Sequence, residues 1–246
     1  MTAPSPFSVI EHDILESTND EACRLASDGA AEGTVVWAHR QRAGRGRRGR
    51  QWQSPAGNLY FSAILRPAAP PAVAAQLSLV AAVAMADTLV GLLPDGTRVE
   101  QKWPNDVLVE GKKIAGILLE SSGTAADRVD WVVIGCGLNI AVAPDDTALP
   151  ATCLSAEGAT SADRKPVLMT LLDSLHRWRV EWDTAGIAPV RKAWLARARG
   201  LGQEITVRLP THEFKGQFLD MDDSGALIVR LPDGSEKAVT AGDVFL

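Results

Sequence analysis

The chain has 246 residues, 46% of them hydrophobic, which is enough for a substantial core in one or two domains. Its 25 basic and 30 acidic residues give a net charge of −5, which excludes a generally basic nucleic-acid coat, and a charged fraction of 22% excludes wholesale disorder. One stretch departs from that average: residues 40–50 hold Arg40, Arg42, Arg45, Arg47, Arg48 and Arg50 with no acid, so the remainder sums to −11, and the concentrated charge marks a local anion site.

The N-terminal residues 1–13 lack a basic start and a long apolar run, so no signal peptide is expected. A helix is predicted from about Ser17 to Gly29, with Thr18 and Glu21 at capping-box spacing. Residues 34–38 form a β-rich run. The arginine segment follows, and Gly44, Gly46 and Gly49 make it a loop. Residues 59–65 read as a strand, ended by Pro67, Pro70 and Pro71. Residues 72–93 are alanine-rich and apolar, but Gln76, Ser78, Asp87 and Thr88 interrupt them. A membrane span needs about 20 predominantly apolar residues, so a buried core helix is predicted. Residues 114–119 and 129–134 are expected as neighbouring strands, and 165–182 and 190–198 as helices. After Gly200 the texture changes. Short strands at 205–209, 214–219, 226–231 and 236–239 are separated by Asp-Gly-type turns, which predicts a small all-β barrel packed on the first domain. The boundary is set at 1–199 and 200–246. The odd set of Cys23, Cys136 and Cys153 has no framework spacing, so reduced thiols and a cytoplasmic location are expected.

Four segments carry candidate chemistry. The loop at 44–50 combines glycines, which let backbone approach a ligand, with arginines, which present planar forks to phosphate or carboxylate. It has no Gly-Lys-Ser/Thr ending, so it is not a Walker A loop. A solvated basic loop or an RNA contact stays open for it. In Lys102-Trp103-Pro104-Asn105-Asp106 a lysine and a carboxylate suit phosphate and magnesium, although the run also reads as an ordinary polar turn. Lys113 precedes an apolar strand containing Gly116, where backbone can come close to a ligand or to another element. Asn139 follows a strand, and its amide suits either an adenine edge or a turn. Cys136 reads as a small buried residue.

Taken in order, Ser17-Thr18-Asn19, Gln41, the 44–50 loop with Trp52, residues 102–106, Lys113-Ile114-Ala115-Gly116 and Gly137-Leu138-Asn139 resemble biotin–protein ligases. The C-terminal strands ending in Ala241-Gly242-Asp243-Val244 resemble that family's SH3-like domain. The resemblance covers nearly the whole chain from about residue 15. It implies an α+β fold: a mixed-sheet catalytic domain of the class II synthetase/biotin–lipoate ligase type with a small SH3-like β-barrel. It implies ATP-dependent activation of biotin as biotinyl-5′-AMP, then transfer to a lysine of a biotin carboxyl carrier protein, with Mg²⁺. Neither step needs a covalent enzyme nucleophile, in keeping with the absence of a Ser/His/Asp or Cys/His set in the sequence. By resemblance Ser17, Thr18, Asn19 and Gln41 bind the biotin head, whose ureido group both donates and accepts hydrogen bonds. Arg45, Gly46 and Gly116 also fall on biotin-contacting positions. Arg47 and Lys113 steady the biotin carboxylate and the α-phosphate. Trp52 packs on adenine, Asn139 bonds its edge, and Arg48 and Arg50 extend the adenylate contacts. Lys102, Asn105 and Asp106 complete the phosphate and metal environment, with Asp106 as the metal ligand. The catalytic set is then Arg47, Lys113 and Lys102.

The arginine loop is expected to be mobile when empty and to close over the adenylate. Some family members carry an N-terminal DNA-binding module. Only about 15 residues precede Ser17 here, so a monofunctional ligase without nucleic-acid or membrane partners, as a monomer or homodimer, is expected. Lipoate–protein ligation is the nearest alternative, octanoyl transfer a more distant one, and nucleic-acid binding through the arginine loop the non-enzymatic one.

Overall fold

The computed structural model describes residues 6–123, 127–145, 147, 149–159 and 163–246; residues 1–5 of the N-terminal segment read above lie outside the described residues. The chain is α+β. Its first sheet has seven strands: β1 (Ser8–Leu15), β2 (Thr34–Gln41), β3 (Leu59–Leu65), β4 (Val99–Lys102), β5 (Asp106–Val109), β6 (Lys112–Ser122) and β7 (Trp131–Leu138). Their order is β1-β2-β3-β7-β6-β5-β4. β1 and β2 run parallel and every other pair is antiparallel, so the sheet is mixed.

Alternation along these strands gives the sheet two different faces. Val35, Trp37, Phe61, Ala63, Ile117, Ile134 and Cys136 face the main core. There they meet α3 (Leu77–Leu92), which packs on α4 (Arg164–Ala185) and α5 (Ile187–Leu195). Val36, Ile64 and Val133 face the other way and bury only Ala22 and Ala26 of α1 (Thr18–Ser27). One small helix cannot cover a seven-stranded sheet. The uncovered part of this second face, beside the α1 N-terminus, is where the cavity lies.

The alanine-rich segment is α2 (Pro71–Ala74) followed by α3, joined through Ala75 and Gln76 in helical conformation. The stretch Pro71–Leu92 has the length and composition of a membrane span, but 72% of its apolar window is buried inside the protein. The joint is pinned from both sides: the Gln76 amide donates to Asp223 O at 2.7 Å and accepts from Trp182 Nε1 at 2.8 Å. The predicted cap of α1 shifts by one residue. Ser17, extended at φ −152°, accepts from Asp20 N, while Glu21 pairs with Arg24. This frees the Thr18 hydroxyl for the cavity.

The C-terminal part is a five-stranded antiparallel sheet in the order β11-β10-β9-β8-β12, formed by β8 (Glu204–Arg208), β9 (Glu213–Met221), β10 (Leu227–Arg230), β11 (Glu236–Val239) and β12 (Asp243–Phe245). It is the small antiparallel domain expected, consistent with the SH3-like type. Val207, Phe218, Met221 and Leu227 join one buried cluster with Leu79 and Trp103 of the first domain. Trp103 Nε1 donates to Gly225 O at 3.0 Å across the junction.

Candidate active site

A cavity of about 330 Å³ opens on the second face of the sheet. Every site residue named from the sequence lines it except Arg48: Ser17, Thr18, Asn19, Gln41, Arg45, Gly46, Arg47, Arg50, Trp52, Lys102, Asn105, Asp106, Lys113, Gly116 and Asn139. Sequence separation of 122 residues thus collapses into one space, because α1, β2, the arginine loop, the β4–β5 turn, β6 and β7 all end at it.

The floor is glycine. Gly116 on β6 pairs with Gly137 on β7, and the Trp52 ring lies on both. A Cβ on Gly116 would come within 2.9 Å of Trp52 Cζ3, and one on Gly137 within 2.5 Å of Trp52 Nε1. Lys113 Nζ sits 5.2 Å from the ring centroid, so the indole is held between a glycine floor and a cation. Buried Trp52 Nε1 has no hydrogen-bond partner among the described residues. One step along the floor, Asn19 lies over Gly135, where any Cβ would overlap its Oδ1.

One wall is a polar chain. Gln41 Oε1 accepts from Thr18 N at 2.7 Å and Thr18 Oγ1 at 3.1 Å, and Gln41 Nε2 donates to Ser54 Oγ at 2.9 Å. Ser62, fully buried on β3, donates to Asn19 Oδ1 at 2.6 Å and lies 2.9 Å from Thr18 Oγ1. Asn19 Nδ2 donates to Glu120 at 2.8 Å. Ser54, Ser62 and Glu120 were missed in the sequence. Ser62 sits inside a strand read as core, and Glu120 ends an apolar run, so neither carried a local signal.

The opposite wall is cationic, and its charges divide into held and unheld. Arg45 is tied to Asp20 and, at 2.8 Å, to Glu120. Burial opposes its charge, yet these two carboxylates raise its pKa above the ordinary arginine value. Arg48 has left-handed backbone (φ 55°) and its guanidinium meets Asp243 at 3.1 Å, outside the cavity lining. Arg50 also bonds Asp243, at 2.5 Å. Lys113 pairs with Asp106 at 2.7 Å. Arg47 and Lys102 differ: among the described residues neither has a carboxylate within ion-pair distance. Burial, followed by repulsion from Arg48, lowers the Arg47 pKa; its Nη1 donates to Asn105 Oδ1 at 3.3 Å. Burial likewise lowers that of Lys102, which lies 5.8 Å from the Phe245 ring. Asp243 and Phe245 bring the C-terminal domain into the cavity wall, a contribution not visible in the sequence reading.

Asn139 is buried, and its Nδ2 donates to Thr152 O at 3.0 Å. It therefore stitches the end of β7 to the 151–154 segment, with one amide hydrogen and Oδ1 left for a ligand. Among the described residues no group of three or more His, Cys, Asp or Glu forms a metal cage. Asp106 is a single carboxylate on the cavity wall. That suits Mg²⁺, which is usually held by one or two carboxylates, waters and substrate phosphates.

Comparison with known proteins agrees with this geometry. Residues 12–139 match the Biotin/lipoate A/B protein ligase family and residues 200–246 the Biotin protein ligase C terminal domain. The chain is 46% identical over 235 residues to the biotin--[acetyl-CoA-carboxylase] ligase of Paracoccus denitrificans, covering 94% of this chain and 97% of that protein. It is 38% identical over 240 residues to the bifunctional ligase/repressor BirA of Bacillus subtilis, covering 95% of this chain and 72% of that protein. The biotin protein ligase from Aquifex aeolicus in complex with biotin and ATP superposes with a TM-score of 0.82 at 27% identity, covering 97% of each chain. The chain belongs to the biotin/lipoate A/B protein ligase family.

Proposed function

We propose that this chain is a biotin–[acetyl-CoA-carboxylase] ligase that makes biotinyl-5′-AMP from biotin and ATP and passes the biotinyl group to a carrier lysine. The observation that carries the chemistry is the pair of partly buried cations, Arg47 and Lys102, without a carboxylate at ion-pair distance among the described residues, beside a polar wall. A cation removed from water without a partner is costly, and an anion entering the cavity relieves that cost. Two anions must meet here, a carboxylate and an α-phosphate. Arg47, Lys102 and Lys113 lower their repulsion and stabilise the charge that builds as the carboxylate oxygen bonds to phosphorus and pyrophosphate leaves. In the second step the lysine amine bonds to the acyl carbon and AMP leaves. Mg²⁺ supplies charge neutralisation on the phosphates when bound, with Asp106 as its protein ligand.

The ureido head of biotin suits the Thr18–Asn19–Gln41–Ser62 wall, which contains both donors and acceptors. Ser17 acts chiefly as the α1 cap. The carrier is the biotin carboxyl carrier protein of a biotin-dependent carboxylase. We divide the chain at 199/200. The three free thiols fit a reducing compartment, and we infer a cytoplasmic location. The test is pyrophosphate release from ATP with biotin, repeated with lipoate. Release with biotin is expected; release with lipoate alone, or with neither, overturns the reading.

A further inference from the structure

Glu120 is neither a cavity-lining residue nor one of the sequence-derived site residues, yet it occupies the end of the polar wall. It shares the cavity face of β6 with Gly116 and Leu118, two and one strand steps away, and stands opposite Val133 of β7. Its side chain is 29% exposed and accepts from two separate elements: Asn19 Nδ2 of α1 at 2.8 Å and Arg45 Nη2 of the arginine loop at 2.8 Å.

Hydrogen-bond polarity makes this position consequential. A carboxylate accepts only. Asn19 must therefore turn its NH₂ toward Glu120 and its Oδ1 toward Ser62. The Ser62 hydroxyl has a single proton, and Asn19 Oδ1 takes it at 2.6 Å. Ser62 Oγ then has only lone pairs left for Thr18 Oγ1 at 2.9 Å, and the single Thr18 hydroxyl proton is shared between Ser62 Oγ and Gln41 Oε1 at 3.1 Å. Gln41 Oε1 is already turned inward onto Thr18 N. The Asn19, Ser62 and Thr18 side chains are thus directed by one acceptor on β6, while the Thr18 backbone N–H orients Gln41 independently. Without Glu120, the buried Asn19 amide can flip by 180°, Ser62 can donate to Thr18 instead, and the pattern shown to a ligand changes without any change of shape. Asn19 is only 4% exposed, so water does not substitute freely for the lost acceptor.

We propose that Glu120 is a positioning residue that fixes the hydrogen-bond polarity of the Asn19–Ser62–Thr18 wall and so sets affinity for the ureido head of biotin. The inference rests on the functional reading above. It separates two duties within one site. The cations handle the reacting carboxylate and phosphates, and Glu120, through Asn19, handles recognition of the head group.

The experiment is biotin-dependent ATP–pyrophosphate exchange with the parent chain and with Glu120→Gln, which keeps the shape and removes the obligatory acceptor. The expected result is a KM for biotin raised about tenfold, a KM for ATP and a kcat within about twofold of the parent, and a Tm within about 2 °C. Glu120→Asp, which keeps an acceptor, is expected to recover part of the biotin KM. A biotin KM within twofold of the parent in Glu120→Gln overturns the inference. So does a proportional loss of kcat and ATP affinity with a lowered Tm, which is the mark of a merely structural role. No biotin-dependent exchange in the parent overturns the functional reading itself, and this inference with it.

Discussion

Asn58 is the residue whose loss is expected to be felt most for its size. It is 1% exposed and precedes β3. Its Oδ1 accepts from the backbone N–H of Ile140, Ala141 and Val142 at 2.9, 3.0 and 3.1 Å, and its Nδ2 donates to Val142 O at 2.7 Å. One side chain therefore closes the whole turn that follows Asn139. In Asn58→Ala four backbone groups lose their partner. Ile140 is buried, so its N–H is orphaned at about 2 kcal/mol, whereas the exposed Ala141 and Val142 groups turn to water and lose about 0.5 kcal/mol each. The total is about 3–4 kcal/mol, which for a chain of this size lowers Tm by roughly 6–14 °C. Asn58→Asp keeps the triple acceptor but turns a buried carboxylate oxygen onto Val142 O in place of the donor, so its drop is expected to be smaller than that of Asn58→Ala but still measurable. Thermal unfolding followed by circular dichroism measures both. A Tm for Asn58→Ala within 2 °C of the parent refutes the reasoning, because it means that the turn is held by something other than this amide.

Gly137→Ala puts a methyl where the Trp52 ring lies, so biotin-dependent exchange is expected to fall about a hundredfold, with stability lowered by no more than the roughly 1–3 kcal/mol of local overpacking. Exchange within tenfold of the parent counts against the glycine floor. Lys102→Met should abolish exchange yet raise Tm at pH 7, since it removes a largely desolvated ammonium that has no carboxylate at ion-pair distance among the described residues. The sign with pH follows from the lowered folded-state pKa. Between that value and the unfolded 10.5 the unfolded chain holds more protons, so the parent gains stability as pH rises, and the gap between variant and parent should narrow toward pH 10. A gap that widens with pH contradicts this. Arg47→Gly removes the buried cation of the arginine loop and is expected to release bound adenylate about ten times faster; unchanged retention in a filter assay counts against the proposed role of that loop.

The parts of the site that were legible in the sequence are those whose residue types are rare together: arginines interleaved with glycines, and a lysine and a carboxylate in a five-residue turn. The parts that were not legible depend on which neighbour a residue meets. The strand expected over residues 129–134 is followed by Gly135 and Gly137, a residue type that weakens an isolated strand. The strand runs on to Leu138 because Asn19 and Trp52 need those two positions bare. β6 likewise runs to Ser122, past the apolar run that marked it, and its polar end is the part that bears Glu120. β4 and β5 were read only as flanks of a turn. Each has four residues, and β4 is Val-Glu-Gln-Lys, which has no strand signature apart from its partners. Arg48 and Arg50 both meet Asp243, almost two hundred residues away in the other domain, a partner that no local pattern in the arginine loop reveals.

That distribution of partners also changes what the basic cluster can do at a distance. Arg42 is matched by Glu16 and Arg45 by Asp20 and Glu120, while Arg48 and Arg50 share Asp243, so four carboxylates lie against the six arginines of residues 40–50. Beyond a screening length of about 8 Å, the loop presents little net field for a nucleotide to follow. Selection begins only once the phosphates have entered the cavity and met the two cations left without counter-ions.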